Sequence, residues 1–136
     1  MTDSVSVVIP ALNEERTVAH VVRACLADEP LEVIVIDADS SDETAAEAQV
    51  AGARVLNWRE ILPEEPRPGK GESLWRGVAA AGGDIVVFID ADLESAAPGM
   101  VSALTEPFID PHIQMVKARY QRSFQGKPTG GGRVTE

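Results

Sequence analysis

Residues 84–92 read Asp-Ile-Val-Val-Phe-Ile-Asp-Ala-Asp, an apolar run that passes directly into two carboxylates spaced one residue apart. Such a run predicts a strand that is buried on both faces, the type found in parallel sheets. We therefore expect a strand over Asp84–Ile89, with Asp90 and Asp92 at its carboxyl end. Ligands of open parallel sheets bind beyond the carboxyl ends of the strands, so this stretch predicts both the fold and the position of a site.

Apolar runs and segments with helical periodicity alternate through the rest of the chain. The further strands that they predict are Val5–Ile9, Leu31–Ile36, Arg54–Asn57 and Gln114–Tyr120, and the helices are Thr17–Ala27, Glu43–Ala51, Glu72–Ala81 and Met100–Glu106. Ser41 or Asp42 is expected to cap the second helix, and Gly52 to end it. The alternation predicts an α/β fold with a doubly wound, mostly parallel sheet.

Composition excludes several classes of protein. With 136 residues, a net charge of −10 and 44% hydrophobic residues, the chain is expected to form one compact domain without a large nucleic-acid surface. It has no apolar run of membrane-spanning length and no signal-peptide pattern, which predicts a cytoplasmic protein with no membrane partner. Cys25 is the single cysteine, so an internal disulfide and a zinc site built from cysteines are both excluded.

The charge is distributed unevenly along the chain. Residues 115–136 hold Lys117, Arg119, Arg122, Lys127 and Arg133 but only one acidic residue, Glu136. Charge alone leaves two interpretations open: a solubilising terminus, or a docking site for an anionic small molecule.

Three polar clusters follow predicted strands, namely residues 10–15, 37–42 and 90–92. In a parallel sheet the three converge on one rim. Two carboxylates at i and i+2 on a turn can present oxygens to a hard divalent cation, which in turn neutralises a diphosphate. For an isolated pair of this kind, a cap or a solvated loop is the competing interpretation.

A loop rich in proline and glycine, residues 59–71, precedes the third helix and contains Lys70 between Gly69 and Gly71. Flanking glycines allow a ligand to approach the backbone, and the helix that follows offers amides to phosphate. The spacing does not match a P-loop, because Glu64 stands where that motif has its first glycine. A solvated loop lysine is the alternative for Lys70.

Other chemically capable side chains favour structural roles. His20 and His112 lack partners at ligand spacing, and Cys25 falls on an apolar helix face. Trp58 and Trp75 are expected to be packing residues.

Taken in order, residues 7–15, 36–42, 68–76 and 90–92 resemble the GT-A glycosyltransferases. Residues 67–72 and 130–136 further resemble the glucosyl-3-phosphoglycerate synthases, a family of retaining enzymes. The resemblance implies a GT-A fold and metal-dependent transfer of glucose from UDP-glucose to 3-phosphoglycerate, with Mg²⁺ or Mn²⁺ as cofactor. It also implies a homodimer.

The resemblance implies roles for individual residues. Asp92 is the expected metal ligand and, with Lys70, belongs to the catalytic machinery, while the acceptor is expected at Arg133, Val134 and Thr135. The residues expected to contact the nucleotide sugar are Pro10, Ala11, Leu12, Glu14, Ala38, Lys70, Asp90 and Ala91.

In retaining members of the family, the acceptor hydroxyl attacks from the face that the leaving group departs from, so no protein base is expected. Because family members are longer, residues 1–136 are expected to be a truncated, nucleotide-sugar-binding GT-A domain that ends at the acceptor loop 126–136. On this expectation the family's C-terminal acceptor and metal segment is missing, and we expect little or no transfer by the chain alone.

Four alternatives remain at this point. Two are transfer of mannose to 3-phosphoglycerate and transfer of a sugar to a polyprenyl phosphate. The third is a catalytically inactive fragment that binds a nucleotide sugar. The fourth is an aspartyl-phosphate phosphatase, which Leu93 and Glu94 after the Asp-x-Asp pair disfavour.

Overall fold

The computed structural model describes residues 3–110 and 112, together with the backbone of residues 122–124 and 127–129. The chain divides into two compact units, residues 1–101 and residues 102–136. Predictions that concern the strand 114–120 and the acceptor residues Arg133, Val134 and Thr135 lie outside the described residues.

The first unit is built on a four-stranded parallel sheet. The strands are β1 (Val5–Ala11), β2 (Glu32–Asp37), β3 (Arg54–Asn57) and β4 (Ile85–Phe88), in the order β3-β2-β1-β4. β1 pairs with β2 from Ser6 opposite Glu32 to Ala11 opposite Asp37, so these two strands end at the same level. The prediction of a parallel sheet is confirmed, and the bounds of β3 are those read from the sequence.

Three helices connect the strands: α1 (Val18–Leu26), α2 (Thr44–Ala51) and α3 (Lys70–Ala80). The order of the strands reverses after β3, because β4 adds to the far side of β1. Since crossovers between parallel strands are right-handed, α1 and α2 cover one face of the sheet and α3 covers the other. The sheet is therefore doubly wound, and the reversal places a crevice at the carboxyl ends of β1 and β4.

Alternation along the strands divides the core between these faces. Val8, Ile34 and Ile36 are fully buried and form one cluster on the α3 side, joined by Leu56 and Trp58. Their strand neighbours point to the opposite face. There the apolar stripe of α1 is buried, as its helical period predicts; it consists of Val18, Val21, Val22 and Cys25.

α3 packs directly on β1 through Gly77. A Cβ built at Gly77 would lie 2.3 Å from Cγ1 of Val8, so the absence of a side chain permits this close approach. The helix consequently holds its first residue, Lys70, beside the carboxyl end of the sheet.

Three helices begin at other residues than the sequence predicts; α1 begins at Val18, one residue later than expected, with Thr17 at the N-cap position. α3 begins at Lys70, two residues earlier than expected, because Gly69 with φ of 118° makes the turn into the helix. α2 begins at Thr44, with Glu43 at the N-cap position. Asp42 still serves the helix start, since its carboxylate accepts a hydrogen bond from the backbone N–H of Thr44 at 2.9 Å.

A short 3₁₀ helix, Trp58–Glu60, follows β3 and overlaps the start of the expected loop 59–71. Its N-terminus is stabilised by a capping box: the Asn57 side chain accepts a hydrogen bond from the Arg59 N–H, and the Glu60 carboxylate accepts one from the Asn57 N–H. This turn places Trp58 directly after the end of a strand.

The second unit is described only in part. Helix α4 (Met100–Thr105) crosses the boundary between the units, and a 3₁₀ helix, Glu106–Ile109, follows it. β5 (Arg122–Phe124) and β6 (Lys127–Thr129) form an antiparallel hairpin, which the sequence did not predict. Among the described residues, none of the helices has the length and apolar character needed to cross a membrane.

Candidate functional site

A cavity of about 260 Å³ opens at the carboxyl edge of the sheet, in the crevice that the strand order predicts. It is bounded by the last residues of β1, by the segments that follow β1, β2 and β4, by the residue after β3, and by the start of α3. The lining residues are Pro10, Ala11, Leu12, Glu14, Ala38, Trp58, Gly69, Lys70, Ser73, Ala91 and Asp92.

Hydrogen bonds between the β1 and β2 loops fix one side of this cavity. The N–H of Asn13 donates to Oγ of Ser40 at 2.9 Å, and the Asn13 side-chain oxygen accepts from the N–H of Ser41 at 2.8 Å. Asn13 has a φ of 56°, a conformation that asparagine tolerates better than most residues. One residue on, the N–H of Glu14 donates to Oγ1 of Thr44 at 2.8 Å. The position of Glu14 in the cavity is thus set by α2 as well as β1.

The first residue of α3, Lys70, places a positively charged side chain at the cavity. Nζ of Lys70 lies 2.6 Å from Oδ1 of Asp90, which is the first acidic residue after β4. Both side chains are substantially exposed, at 58% and 37%, so solvent weakens this ion pair. A ligand phosphate can therefore compete with Asp90 for Lys70 at small cost.

Two acidic side chains, Glu14 and Asp92, face the same cavity. Burial raises the pKa of Glu14 above its usual value, and the charge of Asp92 raises it further. A bound cation would relieve this repulsion. No described residue forms an ion pair with Asp92, in contrast to Asp90.

These carboxylates fit a divalent metal only in part. Among residues 3–110 and 112 there is no cluster of three or more His, Cys, Asp or Glu side chains able to enclose an ion. Mg²⁺, however, commonly takes one or two protein carboxylates and completes its coordination with substrate phosphates and water. Asp92 at the cavity wall fits that partial ligand set.

The remaining wall is apolar, and Trp58 is part of it. Its 3₁₀ helix is tied to the β2 loop by Asp39, which accepts from Nδ2 of Asn57 at 2.9 Å and from Nε of Arg59 at 2.8 Å. The largest contribution is the hydrogen bond from Asn57, which lowers the pKa of Asp39, so the carboxylate stays ionised. Ala38, the neighbour of Asp39, completes this side of the cavity.

The expectation that Trp58 only packs was therefore incomplete, because it both packs on the core and lines the cavity. The signal was available in the sequence: Trp58 is the first residue after a predicted strand, on the edge where ligands bind. Trp75 is 65% exposed rather than packed. His20 and His112 are both exposed, and Cys25 is buried in the core as expected.

The structure brings together most of the residues that the sequence singled out. Seven of the eight residues expected at the nucleotide sugar line the cavity, and Asp92 lies among them; the seven are Pro10, Ala11, Leu12, Glu14, Ala38, Lys70 and Ala91. The eighth, Asp90, is held at the rim by Lys70. The role of each residue remains a prediction.

Comparison with known proteins identifies related sequences over nearly the whole chain. Residues 6–133 match the family described as Glycosyl transferase family 2. The chain is 48% identical to glucosyl-3-phosphoglycerate synthase of Mycobacterium tuberculosis, across 98% of this chain and 45% of that protein. The enzyme of the same name from Petrotoga mobilis is 42% identical, across 97% of this chain and 44% of that protein. The chain thus spans less than half the length of these relatives.

Solved structures agree with the sequence matches. The crystal structure of the M. tuberculosis glucosyl-3-phosphoglycerate synthase with Mn²⁺, UDP-glucose and phosphoglyceric acid superimposes with a TM-score of 0.74 at 47% identity. The match covers 81% of this chain and 40% of that one. Another structure of that enzyme holds Mn²⁺, UDP and glucosyl-3-phosphoglycerate, again with a TM-score of 0.74. The predicted GT-A architecture is thereby confirmed.

Proposed function

Because the chain belongs to glycosyl transferase family 2, we propose that its cavity binds UDP-glucose and that the chain supplies the nucleotide-sugar side of a glucosyl-3-phosphoglycerate synthase. The single observation that carries the proposal is the composition of the cavity. An apolar wall, one lysine and two carboxylates meet at the carboxyl edge of a parallel sheet. Such an arrangement can accommodate a base, a diphosphate and a cation together.

The apolar wall suits the uridine. Pro10, Leu12 and Ala38 offer apolar contacts to a base, but the Ala38 side chain offers no polar group, so choice of the base would depend on backbone groups. Glu14 lies one step further along the β1 loop, where its carboxylate can accept hydrogen bonds from ribose hydroxyls. We assign these residues and Ala11 to the nucleoside.

The opposite side of the cavity suits the diphosphate. Lys70 releases Asp90 to pair with phosphate oxygens, an exchange that their exposure makes inexpensive. Asp92 would hold Mg²⁺ or Mn²⁺, whose chemistry is to neutralise the charge that develops on the departing UDP. Ala91, between the two carboxylates, lines the cavity.

The acceptor belongs to the same proposal. Arg133, Val134 and Thr135, which lie outside the described residues, are assigned to 3-phosphoglycerate. A guanidinium pairs well with phosphate or carboxylate, and a threonine hydroxyl adds a neutral hydrogen bond. Retention of configuration and a homodimer are proposed by likeness to the family, and a cytoplasmic location accords with the one free cysteine, Cys25.

The extent of the match limits what the 136 residues are proposed to do by themselves. They correspond to 45% of the M. tuberculosis enzyme. We propose that this stretch binds the nucleotide sugar and that efficient transfer requires segments corresponding to the remainder of the relatives. Binding without turnover is thus the expected behaviour of the isolated chain.

Isothermal titration of the 136-residue chain with UDP-glucose, with and without Mg²⁺, tests the proposal. We expect metal-dependent binding with a Kd below about 1 mM, equivalent to about 4 kcal/mol. Asp92→Asn should abolish the metal dependence, because the amide lacks the charge needed to hold the cation. Asp28→Asn is the control, because it removes the same charge after α1, outside the cavity lining. It should bind UDP-glucose as the unsubstituted chain does. Absence of binding at millimolar UDP-glucose would refute the proposal for this chain.

A further inference from the structure

One arginine that the proposed mechanism does not use is almost completely buried. The Arg76 side chain, in the second half of α3, is 1% exposed. A charged guanidinium at such a position requires partners for its N–H groups, since an unpaired buried charge is strongly destabilising. The identity of those partners shows what the residue does.

Arg76 binds the segment that joins β3 to α3. Its Nη1 donates to the carbonyl oxygens of Trp58 at 2.7 Å and Leu62 at 3.1 Å, and its Nη2 donates to the carbonyl of Glu64. The Nε donates to the Glu72 carboxylate at 2.7 Å, one helical turn earlier. One side chain therefore gathers three backbone carbonyls that span residues 58–64.

This clamp connects two walls of the cavity. Trp58 lies on one wall, and Lys70 and Ser73, from the same helix as Arg76, lie on another. The Pro-rich segment between them has no regular secondary structure from residue 61 to residue 69. The Arg76 hydrogen bonds therefore link the backbone of Trp58 directly to α3.

We propose that Arg76 is a positioning residue that fixes Trp58 as a wall of the cavity and thereby sets the affinity for the nucleotide. The part concerning affinity rests on the proposed nucleotide-binding function. The part concerning Trp58 does not, and it is open to test without any ligand.

Arg76→Lys is the discriminating substitution. Lysine keeps the charge and most of the length, but it has three donors on one atom and cannot reproduce a planar fork that reaches three carbonyls and a carboxylate. All variants are made in a protein that also carries Trp75→Phe. The chain has two tryptophans, so Trp58 is then the only source of tryptophan fluorescence. Arg23→Lys, at an exposed arginine of α1, is the matched control.

Two readouts are made well below the melting temperature of each variant. Acrylamide quenching of Trp58 in the absence of ligand reports exposure of the wall, and titration with UDP and Mg²⁺ reports affinity. For Arg76→Lys we expect quenching to rise about twofold and the Kd for UDP to rise about tenfold, the equivalent of one charge-assisted hydrogen bond. Arg23→Lys should change neither quantity.

A purely structural role gives a different pattern. If Arg76→Lys lowers the melting temperature but leaves both the quenching and the UDP affinity at the background values, the proposal is overturned. If the Trp75→Phe protein does not bind UDP, the proposed function fails. The role of Arg76 in positioning Trp58 is then still decided by quenching: a rise in Arg76→Lys supports it, and unchanged quenching overturns it. Should Arg76→Lys not fold, Glu72→Gln weakens the same clamp from its carboxylate end and should raise quenching in the same direction; unchanged quenching there would overturn the proposal.

Discussion

Substitution of Gly77 by alanine should destabilise the fold, although alanine is the better helix former. Gly77 is buried where α3 crosses β1, and a Cβ there would lie 2.3 Å from Cγ1 of Val8. Carbon atoms in ordinary contact lie about 3.5–4.0 Å apart, so the helix and the strand would have to separate by about 1 Å or more. Val8 is fully buried in a central strand and has little room to move.

Two effects of opposite sign set the magnitude. Replacing glycine by alanine inside a helix is worth about 1 kcal/mol in favour of folding. Overpacking of a close-packed core costs about 1–3 kcal/mol, and the severity of this contact indicates the upper part of that range. We expect a net loss of about 1–2 kcal/mol in the free energy of unfolding.

Urea unfolding at 25 °C, followed by circular dichroism, measures this loss. Gly71→Ala is the matched control, because Gly71 lies in the first turn of the same helix and a Cβ there meets nothing within 4 Å. It should leave stability unchanged or raise it by up to about 1 kcal/mol. Val8→Ala removes the clashing methyl groups, so the double variant with Gly77→Ala should be more stable than the sum of the two single effects by about 1 kcal/mol. If Gly77→Ala stabilises the protein as much as Gly71→Ala does, the packing argument is refuted.

Two further predictions concern ionisable groups away from the cavity. Burial tends to raise the pKa of Glu32, but hydrogen bonds from Gly82 and Ser6 lower it overall. The ionised carboxylate therefore stabilises the fold at pH values above 4.5, the pKa of the unfolded chain. This stability is lost as the pH falls through the lower pKa of the folded protein. Glu32→Gln should therefore lower the melting temperature at pH 7 and much less at pH 3, and an equal deficit at both would contradict this. Burial raises the pKa of the Cys25 thiol to about 12. A disulfide reagent at pH 8 should therefore modify Cys25 slowly in the folded protein and rapidly in urea. Rapid modification of the folded protein would disprove the burial of Cys25.

Much of the fold could be predicted because its strands are continuous apolar runs. Residues 85–89 and 5–9 have no polar interruption except Ser6, whose hydroxyl is satisfied by Glu32 at 2.6 Å. Position of the site followed from strand direction alone, since parallel strands end on one edge. The ordered polar clusters after those strands then indicated which residues would meet there.

Other features depend on contacts between distant residues and leave no local pattern. A charged residue in a helix is normally expected to face solvent, and the sequence does not show that the carbonyls of Trp58 and Glu64 accept hydrogen bonds from Arg76. The same holds for Asp39, whose ion pair with Arg59 spans the β2 and β3 loops. The three-residue strands β5 and β6 are too short to show an alternating pattern, so periodicity could not predict the hairpin.

The cavity at the carboxyl edge of the sheet is the proposed nucleotide site. Titration of the ¹⁵N-labelled chain with UDP and Mg²⁺, followed by ¹H–¹⁵N correlation spectra, locates the bound nucleotide residue by residue. We expect saturable shifts for the amides of Leu12, Ala38 and Ala91, which surround the cavity. We expect none for Glu32 and Gly82, which are hydrogen-bonded to each other at the amino ends of the strands. Shifts centred on Glu32 and Gly82, or no shifts at millimolar UDP, would contradict this assignment.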